Sequence, residues 1–257
     1  WDRWDYTDRV VYSHFGGVVN CNWKVAGEAF IEGFHSLATH PQMMEWLGDE
    51  NTQYDVVKGE NWNRQIVPQG VPSPTIANHI SEQEVLDSYY ETRAFYTQGK
   101  GRDLAVGDEG TPQVPSDSTA RRELAAAMRS ALAEQFGSDQ DHWTDSELLD
   151  GIQYFVFPNF YVFAGPRTNA IYRFRPLGND PDKCIAEVYL LAQQPADGSH
   201  PKPAATRWLQ PEGHPLLKTA YVDADIRDTD QILAEAAKSE AEKTNAPRTR
   251  SRARGAA

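Results

Sequence analysis

The chain has 257 residues, 40% of them hydrophobic and 11% aromatic, with a formal charge of -12 at pH 7 and a pI near 5.0. That length holds one domain or two small ones, and the aromatic content supplies large apolar areas for a core or a pocket lining. So acidic a balance argues against nucleic acid or an anionic membrane as the main partner, and no apolar run approaches the roughly 20 residues of a membrane span.

In chain order, Val10 to Tyr12 and then Val18-Val19 suit one or two short strands. From Asn22 to Leu47 the pattern turns helical. Trp23, Ala26, Phe30, Phe34 and Leu37 recur at steps of three and four, the stripe of a helix packed on a core, until Gly48 and Asp49 stop it. Residues 51–80 are punctuated by Pro, Gly and Asn and read as strands and loops. Ser81 to Glu84 has the form of a capping box ahead of Val85, Leu86, Tyr89, Tyr90 and Phe95, a second helix. Gly99 to Ser118 reads as a long loop of the kind that serves as a lid or stays disordered, and Thr119 to Phe136 as an Ala-rich third helix.

After Asp150 the chain becomes strand-like. Ile152–Phe157, Tyr161–Phe163, Ile171–Arg175 and Ile185–Leu191, at roughly ten-residue spacing, predict an antiparallel meander. Asp225 to Lys238 has a helical look, and Arg248, Arg250, Arg252 and Arg254 close a basic, solvated tail expected to be disordered. The expected fold class is α+β, an antiparallel β-sheet with helices packed on one face. Neither Cys21 nor Cys184 sits in a C-x-x-C pair, so a disulfide framework or thiolate zinc site is not expected. With no signal peptide at its start, the expected location is the cytoplasm.

The chemistry concentrates in residues 22–42, NWKVAGEAFIEGFHSLATHPQ. On a helix, Glu28, Glu32 and His35 share one face. His40 lies five residues after His35, roughly 140° away on an ideal helix, so common ligation of one ion requires a local distortion such as a π-bulge. Two His and a carboxylate suit a non-haem Fe(II) facial triad, and equally a catalytic zinc; His35 is followed by Ser36, so the H-E-x-x-H zinc signature is not present. Spacing alone also allows a pair of structural or surface histidines.

The pattern N-W-K-x3-E-x-F-x-E-x-F-H-x4-H-P resembles the iron-binding segment of the Rieske non-haem iron ring-hydroxylating oxygenase α subunits. Phe157-Pro158-Asn159 and the turn Arg175-Pro-Leu-Gly-Asn-Asp-Pro181 resemble two further stretches of that family, so the likeness covers most of residues 16–232. Many members carry E-N-F where this chain has Glu28-Ala29-Phe30, one polar group fewer near the site. The resemblance implies a helix-grip-like catalytic domain in which His35 and His40 ligate Fe(II). It also implies that Glu32 bridges by hydrogen bonds towards the Rieske cluster of a neighbouring subunit. The third ligand comes from a C-terminal helix, often as D-Q-D-x-x-N; here Asp225 fits best, with Asp223 and Asp228 as alternatives and Ala224 in place of the Gln.

What this implies is O2-dependent hydroxylation, by dioxygenation, monooxygenation or demethylation, of an aromatic or similar apolar substrate. Phe34, Leu37, Phe155, Phe157 and Asn159 are the candidate pocket residues; Asn159 also suits a plain turn after Pro158. Partners would be the substrate, O2, a ferredoxin or reductase donor, two further copies in a homotrimer, and in some members a β subunit. A [2Fe-2S] Rieske cluster needs Cys-x-His and Cys-x-x-His, and neither cysteine stands in such a pattern. The expectation is therefore a catalytic domain (16–232) preceded by a connection (1–15) and followed by the tail (233–257). Severed from its electron-transfer domain, it would hold iron but not turn over alone. Competing expectations are a metal-free apolar-ligand-binding protein and a zinc hydrolase.

Overall fold

The computed structural model describes residues 2–4, 6–97, 111–136, 140–166, 169–194 and 202–209. Eight strands form one sheet: β1 (Arg9–Val19), β2 (Gln53–Val56), β3 (Trp62–Val67), β4 (Gly151–Val156), β5 (Phe160–Ala164), β6 (Asn169–Leu177), β7 (Asp180–Gln193) and β8 (Thr206–Leu209). Their order is β2-β3-β4-β5-β6-β7-β1-β8, antiparallel except for the parallel pair of β1 and β8. The α+β class and the meander β4 to β7 agree with the sequence. The one or two short strands expected near the start are a single strand of eleven residues, and β8 went unforeseen because four residues carry no usable period.

Successive side chains alternate between the two faces. The register places Tyr54, Gln65, Gln153, Phe155, Tyr161, Tyr172, Phe174 and Cys184 on one face. Across it lies the short helix α1 (Trp23–Glu28), whose Trp23 and Ala26, with Phe30 just beyond, pack on Tyr161, Phe174, Cys184 and Ala186. A Cβ on Gly27 would stand 1.9 Å from the Tyr161 hydroxyl, so this close approach requires glycine.

The opposite face carries a buried charge. Glu187, only 3% exposed, accepts hydrogen bonds from Arg173 Nε at 2.9 Å, Arg175 Nε at 2.8 Å and the Tyr189 hydroxyl at 3.1 Å, with His14 stacked on Tyr189 beside it. Burial alone would raise its pKa; His14 and the two guanidiniums outweigh that and hold it at about 2.

The remaining helices divide from the sheet face. The helices α3 (Glu82–Thr97), α4 (Ala120–Phe136) and α5 (Asp145–Leu149) bury Leu86, Tyr89, Leu124, Met128, Leu132 and Leu148 against one another and against Met44, Trp46 and Leu47. The capping box at Ser81 and Glu84 starts α3 as the sequence implied, and a second box at Thr144 and Glu147 starts α5. Arg121 joins α4 to Asp150 at the head of β4, at 2.6 Å.

Within the expected connection (1–15), described residues pack on the rest of the fold. The strand β1 begins at Arg9, Trp4 is buried and stacked on Trp143, and Arg3 pairs with Glu147 at 2.6 Å. Apolar burial of Trp4 and ladder hydrogen bonds of β1 hold them there. The expected C-terminal helix, the basic tail and most of the 99–118 loop lie outside the described residues. Among the described residues no helix is long and apolar enough to cross a membrane.

Candidate metal centre

The single helix expected from Asn22 to Leu47 does not form. Asn22 caps α1 by accepting from Lys24 N–H at 2.9 Å, but the helix ends at Glu28 and the chain runs irregularly to His35. It coils again as one turn, α2 (Ser36–Thr39), and His40 leaves it with φ -129° and ψ 47°. Pro41 explains the stop, because the residue before a proline is pushed out of the helical region.

The break has an energetic cause in the sheet. Backbone groups that a continuous helix would satisfy internally find side chains instead. The Phe30 carbonyl accepts from Gln65 Nε2 at 3.2 Å, and Gly33 N–H donates to the Tyr54 hydroxyl at 2.8 Å. Gln65 Nε2 also donates to Gln153 Oε1 at 2.9 Å. Glu32 then folds forward, accepting from Phe34 N–H at 2.6 Å and His35 N–H at 3.1 Å while its other oxygen meets His35 Nδ1.

This backbone brings His35 and His40 together. Their ring centres are 5.4 Å apart and their planes 73° apart, edge to face. The sequence asked for a distortion between the two histidines, and it takes the form of a single turn that ends non-helically rather than a π-bulge. With Nδ1 of His35 engaged by Glu32, Nε2 is the nitrogen left to bind, the arrangement in which a carboxylate orients a ligating imidazole. The His40 pKa is lowered, first by burial and then by the neighbouring His35, which favours the neutral ring a metal needs. The two imidazoles and an orienting carboxylate therefore fit a first-row metal such as iron.

Among the described residues no group of three His, Cys, Asp or Glu could hold an ion. Asp223, Asp225 and Asp228 lie outside the described residues. The candidate pocket residues are not brought together. Phe34 and Leu37 are 79% and 51% exposed, because the break lifts this part of the stripe out of the core, with Phe34 stacked on Tyr54 at the sheet edge. Phe157, 62% exposed, and the half-buried Asn159 sit in the β4–β5 turn. Phe155 packs on Tyr161 at 4.7 Å in the core beneath α1.

Sequence reasoning passed over Tyr54, Gln65 and Gln153. The usable signal was the period of two: Gln65 and Gln153 occupy core-facing positions of β3 and β4, where a polar side chain needs a partner.

The sequence matches the family described as the ring-hydroxylating α subunit (catalytic domain) over residues 1–241. The chain belongs to that family. The chain is similar to larger solved structures. One is a quaternary ammonium Rieske monooxygenase studied for carnitine oxidation by gut microbiota, with 11% identity, TM-score 0.35, and coverage of 72% of this chain and 32% of that one. Another is dicamba monooxygenase bound to 3,6-dichlorosalicylic acid, with 10% identity, TM-score 0.32, and coverage of 91% and 52%. The chain thus spans about a third and about half of those two chains. A comparison with curated proteins finds no match.

Proposed function

We propose that this chain supplies the mononuclear iron centre of an oxygenase that uses O2 to hydroxylate or demethylate an aromatic or similar apolar small molecule. The observation that carries the proposal is the unit Glu32–His35–His40: two adjacent imidazoles, one of them held by a carboxylate, in the chain's most motif-rich segment. His35, through Nε2, and His40 would hold the metal, with Asp225 as the third ligand and Asp223 and Asp228 as its alternatives. Iron, when bound, supplies the O2 chemistry.

The protein's own groups prepare that chemistry. Glu32 fixes the rotamer and tautomer of His35 and, by the family resemblance, lies on the route by which electrons arrive from a Rieske cluster. His40, neutral at pH 7, needs no proton removed before it binds. The electrons for O2 would come by way of a cluster-bearing partner, itself reduced by a ferredoxin or reductase, in the trimeric assembly that the family resemblance implies.

The test is anaerobic loading with Fe(II). About one ion per chain is expected, and His35→Ala or His40→Ala should abolish it. Stoichiometry unchanged in both variants would end the assignment. Zinc retained through purification, with O2-independent hydrolysis, would favour a hydrolase instead.

A further inference from the structure

We infer that Tyr54, backed by Gln65 and Gln153, positions the metal-binding turn, so that the sheet decides where His35 presents its ring. The inference rests on the metal reading above and adds residues to it that lie outside the histidine segment.

Tyr54, Gln65 and Gln153 are register partners on β2, β3 and β4 and form one row across the face under the segment. Two members of the row grip the irregular stretch three residues apart. Gln65 takes the carbonyl of Phe30, and Tyr54 takes the N–H of Gly33. Gln153, 1% exposed, holds the Gln65 amide at 2.9 Å, so the inner grip is itself fixed by a buried group. Gly33 is the pivot over which the Glu32 carboxylate folds to reach Phe34 N–H, His35 N–H and His35 Nδ1. The chain passes close to a neighbour here, since a Cβ on Gly33 would stand 2.8 Å from the Thr52 hydroxyl.

Tyr54 would otherwise be an ordinary surface aromatic, 42% exposed at the sheet edge and stacked on Phe34. Its hydroxyl distinguishes it, because it is the acceptor for the backbone N–H next to the Glu32–His35 pair. Loss of the direct outer partner of a ligating histidine typically weakens metal binding by about tenfold or more; Tyr54 acts one step further out, through the backbone beside that partner, and its loss should cost less.

The experiment is an anaerobic Co(II) titration of the full chain, read by visible d–d absorption. Tyr54→Phe keeps the ring and its stacking and removes only the hydroxyl. It should weaken Co(II) binding by roughly threefold to tenfold and alter the band shape, with the thermal midpoint of the metal-free protein nearly unchanged. Tyr154→Phe makes the same substitution on the opposite face, where the hydroxyl meets Arg64 at 3.4 Å, and should leave both affinity and spectrum as in the parent. Parent-like affinity and spectrum in Tyr54→Phe, or equal weakening in Tyr154→Phe, would overturn the inference while the metal reading stands. A parent protein that binds no Co(II) would overturn both.

Discussion

In the core around α3, α4 and α5, backbone polar groups are satisfied within the helices and the apolar side chains are sealed, with Leu86, Tyr89, Leu124 and Leu132 at most 1% exposed. Between Ala29 and His40 the balance is reversed. The Phe30 carbonyl and the N–H groups of Gly33, Phe34 and His35 are satisfied by side chains of the sheet and by Glu32, while Phe34 and Leu37 are largely exposed. The first region follows local rules and gains its stability from burial. The second breaks them, and its departures bring two histidines to one place, as expected where a sequence serves a site rather than a core.

That contrast can be broken from the core side first. Leu124→Ala should cost about 3 kcal/mol of stability through lost transfer energy and a cavity, measured by urea unfolding, while metal bound per folded molecule stays constant. Coupled loss of metal affinity in the folded fraction would show that the two regions are not separable.

The buried charge on the far face gives a smaller effect with a pH signature. The folded pKa of Glu187 is depressed to about 2 from 4.5, so its stabilisation is full above about 4.5 and is lost as pH falls towards 2. Glu187→Gln should therefore be less stable than the parent by about 2 kcal/mol at pH 7, a figure reduced for the half-exposed arginines. The gap should close on acidification, which unfolding curves between pH 7 and 2 would follow. A constant gap would mean that packing, not charge, sets the cost.

Phe34→Ala should change stability least, within about 0.5 kcal/mol, because its side chain is already hydrated. A larger loss in thermal melting would show that the exposed stripe is covered in solution.

Much of this architecture was legible in the sequence where local signals agree. Ser81-x-x-Glu84 started α3, and the alternating runs after Asp150 became β4 to β7 with the expected pairing. The histidine pair was found from spacing and motif. The stripe Trp23, Ala26, Phe30, Phe34, Leu37 misled beyond Phe30, because a helical period cannot announce that side chains on strands 20 and more residues away will take over the backbone hydrogen bonds. The parallel β8 was hidden for a similar reason, its partners being far away in the chain. The contacts of Trp4 and Arg3 were not foreseen, because nothing near them in sequence names Trp143 or Glu147 as partners.

The central claim is that the turn from Glu32 to His40 presents two imidazoles to one ion. Iron K-edge X-ray absorption of the Fe(II)-loaded chain measures this directly through the multiple scattering of imidazole rings. The account predicts a fit with two imidazoles per iron. A spectrum without imidazole scattering, or with sulfur from Cys21 or Cys184 in the inner shell, would contradict it.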